Sequence, residues 1–257
     1  MPTSRSLVAL VLALCALDAS AGTRVEGMSC DVHSDYDLSV TERSIVMTRE
    51  SGTPRTVLMR QGRLFVDEAW VALSAADTAR VGAFEDGVRA AMPEAQAVGR
   101  EAADIAFTAL GSVAAGLSDD PAAVQARLAR ARVQLDQKLG RSVTATRFDG
   151  RDLGDGIGEA VGEMVPMIVG DLVGGALSAA FSGDASRLKR LENLDAQIEA
   201  QVRPRTQRLE QRAARLCTRM VELDRIDASL DYRLPGGAPL NLLDARARPQ
   251  GSNAAAR

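Results

Sequence analysis

The feature that most constrains this fold is a change of hydrophobic period near residue 74. Before it, apolar and polar residues alternate: Cys30, Val32, Tyr36, Leu38 and Val40 share one face of an extended chain, and Asp31, His33, Asp35, Asp37, Ser39 and Thr41 the other. That is the pattern of a half-buried strand. Short β-branched runs follow at 44–48, 56–60, 63–66 and 70–73, with Ser51-Gly52, Gln61-Gly62 and Asp67-Glu68 as turns. Spacing this close favours an antiparallel meander, because parallel neighbours need long crossovers. One small sheet is predicted over 30–73.

After residue 74 the period becomes helical. Ser74 with Asp77 resembles a capping box, with Asp where Glu or Gln is usual, and Val81, Phe84 and Val88 continue the stripe. Pro93 is expected to open a second helix, whose stripe is Val98, Ala102, Ile105, Ala109, Val113 and Leu117. Asp120-Pro121 is an N-cap followed by proline at the first helical position, and Val124, Leu128, Ala131, Leu135 and Leu139 follow up to a stop at Gly140. Residues 141–152 read as a connection, with an extended piece at 143–146. The final helix, capped by Asp184, carries Leu188, Leu191, Leu194, Ile198, Val202, Leu209, Leu216, Met220, Leu223, Ile226 and Leu230. Pro204 is expected to break or kink it. The predicted class is α+β: an N-terminal β-meander (22–73), then a mainly helical bundle with a long C-terminal helix (74–233) forming one unit with it. A Pro-, Gly- and Ala-rich tail (234–257) is expected to be disordered.

Between the helical stretches lies the most apolar and glycine-rich part of the chain, residues 154–183, read as a helix or broken helix pair that others pack around. Gly158-x-x-x-Gly162 and Gly170-x-x-x-Gly174 allow close helix approach, as in membranes. Pro166 and Asp171 oppose a membrane span, and a central Asp costs roughly 2.5–3.5 kcal/mol on insertion scales. Gly154-x-Gly156-x-Gly158 lacks both the lysine and the preceding strand of a phosphate-binding loop. Glu159 and Glu163 share a helix face, and a solvated stripe explains them better than a catalytic pair.

Residues 1–21 read as a signal peptide. Arg5 is the basic start, 7–17 the apolar core and Ala19-Ser20-Ala21 the cleavage site, so the mature chain begins at Gly22 and the protein is periplasmic. Leu14 before Cys15 is too large for a lipoprotein signal. Cleavage removes Cys15 and leaves Cys30 and Cys217. In an oxidising compartment these are expected to form a disulfide; two independent thiols are the alternative.

A formal net charge of -3 gives no basic footprint for nucleic acid. Aromatics at 3% leave little from which to build a stacking platform. No cofactor motif is present. His33 is the chain's single histidine, and with Asp31 and Asp35 it is the weak candidate for a metal site. Side chains at alternate strand positions point in parallel about 7 Å apart, however, so a solvated acidic face is the simpler reading. No serine-nucleophile elbow or zinc-protease motif occurs. Glu101 and Asp104 sit on helix surfaces, without a catalytic constellation.

Cys217-Thr218-Arg219-Met220-Val221-Glu222-Leu223 in a long C-terminal helix resembles the YggN-like family of bacterial periplasmic proteins. So do Cys30-Asp31-Val32 opening a sheet after a signal peptide, the strand-turn-strand at 62–73, and the helix reaching Met92-Pro93. The resemblance implies a periplasmic protein of unknown function and supplies no catalytic residues. The tail after Leu230 is longer than the family pattern needs.

The leading expectation is a non-enzymatic scaffold or binding module that uses the surface of its long amphipathic helices, with a protein partner in the cell envelope. One alternative is a membrane-associated or self-assembling protein acting through 154–183; another is a metal-dependent hydrolase centred on His33. Membrane contact is not favoured, and the oligomeric state stays open.

Overall fold

The computed structural model describes residues 22–25, 28–118, 120–150 and 194–249. The expected signal peptide at 1–21, the glycine-rich stretch 154–183 with Glu159, Glu163 and Asp171, the expected cap at Asp184 and residues 250–257 lie outside the described residues. The described elements are β1 (Gly22–Val25), β2 (Met28–His33), β3 (Asp37–Val40), β4 (Ile45–Thr48), β5 (Thr56–Arg60), β6 (Arg63–Val66), β7 (Ala69–Val71), α1 (Ala75–Leu117), α2 (Pro121–Ser142), β8 (Phe148–Asp149), α3 (Leu194–Ala228) and β9 (Asp244–Pro249). Antiparallel strands followed by helices, ending in a long helix, make this the α+β architecture that the periodicity calls for.

Strands β3 to β7 form the expected meander, within a six-stranded sheet ordered β7-β6-β5-β4-β3-β8. The register aligns Val40, Ile45, Met59 and Leu64 in one row, all buried on the inner face. Met47, Val57 and Val66 form the next row. The β5–β6 turn has positive φ at Gln61 (53°) and Gly62 (74°), as the twist of a two-residue hairpin requires. A Cβ on Gly62 would lie 2.9 Å from the Thr78 carbonyl oxygen, so glycine also serves close approach to α1. Asp67 and Glu68 adopt positive φ without glycine; the Asp67 carboxylate holds that turn by accepting from the N–H groups of Arg55 (2.7 Å) and Thr56 (3.0 Å).

The inner face packs on Val81, Phe84, Val88, Ala91 and Met92 of α1, Leu223 of α3, and Leu240, Leu242 and Leu243 beyond it. Each large side chain buried this way stabilises the fold by about 1.5–3 kcal/mol. At the crossing of α1 and α3, a Cβ on Gly87 would sit 2.7 Å from Leu223 Cδ2, so the missing side chain sets how closely the helices approach. Both N-caps are as expected: Ser74 accepts from Asp77 N–H (3.0 Å) and Asp120 from Ala123 N–H (2.9 Å).

Four expectations need correction. The first strand does not run through to Val40 in one sheet. It breaks at 34–36, where Ser34 Oγ accepts from Tyr36 N–H (3.1 Å) and donates to the Leu242 carbonyl (2.7 Å). The part before the break joins a separate three-stranded sheet, β1-β2-β9. Second, 234–257 is not a disordered tail as far as residue 249: Leu240, Leu242, Leu243 and Ala245 are buried, and β9 pairs with β2. This strap is ordered by partners remote in sequence. Third, Pro93 does not open a new helix; α1 runs unbroken for 43 residues with Pro93 inside. An internal proline costs about 3 kcal/mol, offset here by burial of Val88, Ala91 and Met92 on the same helix. Fourth, α3 likewise continues through Pro204 without a break, and that proline faces solvent. The extended piece expected at 143–146 lies later in the chain: β8 is Phe148–Asp149, added to the edge of β3, and within 143–146 only Thr144 forms a bridge, with Arg147.

Candidate functional site

The chemistry-bearing residues that the fold buries are three acids on the helices: Asp77, Glu85 and Asp227 are 3%, 6% and 2% exposed. Each grips backbone from another part of the chain. Asp77 fills the position where a capping-box Glu would reach back to its own helix; instead it accepts from the N–H groups of Asp231 (3.0 Å) and Tyr232 (3.0 Å) and from Arg80 (2.7 Å). Burial works to raise its pKa, but those donors outweigh it and hold the carboxyl below the usual range. Glu85 receives Gln61 N–H (3.1 Å) and Gly62 N–H (2.7 Å), fastening the β5–β6 turn to α1. Asp227 Oδ2 receives Leu242 N–H (2.7 Å) and Leu243 N–H (3.3 Å). Its Oδ1 is buried without a hydrogen-bond partner. Burial pushes Asp227 up to about 6, opposed by the Leu242 and Leu243 donors and reinforced by Asp224. Sequence reasoning singled out Asp77 only as a capping residue and missed Glu85 and Asp227. The available signal was an acid inside an apolar stripe, as Glu85 lies beside Phe84.

Cys30 and Cys217 are joined, with Cα atoms 5.9 Å apart, tying β2 to α3 across 187 residues of chain. Both cysteines are buried.

The metal candidates lie on an open, ion-paired strand face. His33 Nε2 meets Asp35 Oδ1 at 3.2 Å, with side chains 79% and 66% exposed. The register sets Asp31 opposite Arg246 and His33 opposite Asp244, and Arg246 pairs with Asp244 at 2.9 Å. Among the described residues no group of three or more His, Cys, Asp or Glu converges as a metal site. The helix carboxylates are likewise engaged: Arg208 reaches Glu101 at 3.2 Å, and Arg132 reaches Asp104 at 2.5 Å. Among the described residues no helix is long and apolar enough to cross a membrane.

Among the described residues, a cleft and an apolar sheet face stand out. A cleft of about 590 Å³ lies between the far ends of the helices, lined by Phe107, Gly111, Gln125, Leu128, Arg132 and Gln201 among others. The outer face of the larger sheet is more distinctive. Register places Val46, Leu58, Phe65 and Trp70 in one row across β4, β5, β6 and β7. None of the four packs against the buried core, and Trp70 is 66% exposed. Antiparallel sheets with one solvated face ordinarily place polar residues there. Beside this row Arg60 and Arg63 are paired in register and exposed, and neither makes an ion pair or side-chain hydrogen bond among the described residues. The alternating pattern identified the inner face; nothing local marked the outer row as continuous, because it is assembled from four strands.

A family model described as a protein of unknown function (DUF2884) matches residues 30–243. The matched span begins at the bridged Cys30 and ends at Leu243, one of the residues gripped by Asp227. No curated protein and no solved structure matches the chain.

Proposed function

The chain belongs to this family of proteins of unknown function, and we propose that it is an exported, non-enzymatic binding module of the bacterial periplasm, of the YggN-like kind, that docks a protein partner on the outer face of its larger sheet. The observation that carries this reading is the apolar row Val46, Leu58, Phe65 and Trp70. Contiguous apolar surface of this sort marks interaction sites, and exposed tryptophan is the side chain most enriched among binding hot spots. The partner surface that fits is an extended segment with apolar side chains for the row and carboxylates for Arg60 and Arg63. β7 lies at the edge of the sheet, where such a segment could add as a further strand. Export accords with the leader-like sequence at 7–17 and the Ala19-Ser20-Ala21 site, and with the disulfide. A non-enzymatic role accords with the buried acids, each of which receives backbone N–H groups.

The test is a photoreactive residue in place of Trp70 in living cells, with Arg130 on α2 as control position. A discrete adduct with another protein is expected at 70 and not at 130, and Arg60→Glu with Arg63→Glu should weaken it. Absence of an adduct at 70, equal labelling at 130, or adducts only with a second copy would each overturn the reading.

A further inference from the structure

A separate device lies on the opposite side of the core, where α3 ends. Asp224 and Asp227 are one turn apart on α3, and both face the strap. Asp227 receives the N–H groups of Leu242 and Leu243, and Asp224 that of Ala245. The strap's other anchors are Ser34, which donates to the Leu242 carbonyl, and the ladder between β9 and β2. Two N–H donors are aimed at one oxygen of Asp227, while the other oxygen is sealed in the core with no donor. A buried anionic oxygen without a partner is costly, and protonation removes that cost.

We propose that Asp227 is a proton-operated clasp: taking up a proton on its unpartnered Oδ1 tightens its hold on the strap, so that the C-terminal strand of the disulfide-bearing sheet is gripped more firmly in mildly acidic medium than at neutral pH.

The surrounding charges support this direction. On α3, Asp224 is itself pushed up, first by burial and then by Asp244, against Ala245 N–H and Arg246. From the strap, Asp244 and Arg246 pair with each other. From the β2–β3 connection, Tyr36 is neutral and donates to the Pro54 carbonyl (3.4 Å), with Arg49 stacked 4.8 Å from its ring and Asp35 nearby. From α1, Asp77 and Arg80 engage the chain at Asp231, past the end of α3. Among the described residues no cation pairs with Asp227. The carboxyl titrates near 6 in the fold against an ordinary 3.8. Between those values the folded chain holds a proton that the opened strap releases, so closure strengthens as pH falls through about 6 and gains nothing further below about 3.8.

The experiment is hydrogen exchange of the oxidised full chain at pH 7.5 and 5.0, corrected for intrinsic rates and read at the amides of Leu242 and Leu243. The strap's opening constant should be about tenfold smaller at pH 5.0, as linkage gives for a midpoint moved from 3.8 to about 6. Asp227→Asn keeps an acceptor oxygen but cannot titrate, and it should abolish that difference. Equal protection of the wild type at the two pH values, or a tenfold change that persists in Asp227→Asn, would overturn the clasp. Should that variant fail to fold, a carbon-13 carboxyl titration of the wild type decides: a midpoint near 6 for Asp227 supports the clasp, and one near 3.8 refutes it.

Discussion

The two ends of the α1–α3 pair are held by different physics. Near the sheet, one buried cluster joins the meander, α1, α3 and the strap, and it is fastened by a disulfide and three buried acids on backbone donors. At the far end, a small cluster of Ala114, Val124, Leu128 and Phe107 is accompanied by ion pairs whose arginines lie largely in solvent and by side-chain hydrogen bonds such as Gln125 to the Gly111 carbonyl (2.8 Å). Exposed ion pairs contribute about 0–1 kcal/mol each, whereas a cross-link and close-packed apolar side chains contribute several times more. Local opening should therefore begin at the far ends of the helices and reach the sheet last.

The largest blow to the sheet end should come from the cross-link. Cys30→Ser removes a tie that spans 187 residues, worth up to about 5 kcal/mol in a chain-entropy model. Calorimetry should show a drop in melting temperature, with Cys217 becoming open to alkylation in the unfolded state. An unchanged melting temperature would mean that the apolar cluster alone holds β2 and α3 together.

Next come paired cavity mutations. Leu64→Ala, at a fully buried sheet position, should cost about 3 kcal/mol in denaturant unfolding, and Leu128→Ala in the smaller cluster about 2 kcal/mol or less. Equal costs would erase the contrast between the ends.

Asp77→Asn tests the acids. It replaces a charged acceptor for Asp231, Tyr232 and Arg80 and should cost about 2 kcal/mol at neutral pH. The sign of its pH dependence is opposite to that of the clasp. Because the folded carboxyl lies below its ordinary 3.8, its contribution is present above that value and is lost as pH falls below it. Wild-type stability should thus rise from pH 7.5 to 5, through Asp227, and fall below about 4. Asp77→Asn should flatten only the acid limb.

The smallest effect belongs to the far end. Arg132→Gln, breaking the pair with Asp104, should change stability by less than about 1 kcal/mol, and added salt should shrink the difference further. A larger, salt-insensitive loss would show that this end is held more like the other.

Residue order alone determined what depends on neighbours a few positions away. The period change near residue 74, the caps at Ser74 and Asp120, the hairpin turns and the inward faces of Cys30 and Cys217 all follow from local backbone geometry and from which side of an element an apolar residue occupies. Tertiary structure decided the rest, because the deciding partner is remote. The apolar face from Cys30 to Val40 is interrupted only at Ser34, and what ends the strand there is a partner 208 residues away, the Leu242 carbonyl. Pro93 carries a local instruction to end a helix, and burial of Val88, Ala91 and Met92 just before it overrides that instruction. The strap's leucines stand among Pro, Gly, Asn and Arg without a strand or helix period, and it is ordered by β2 and by two acids on α3. The row that ends in Trp70 is invisible in any one strand; it exists only once four strands are set in register.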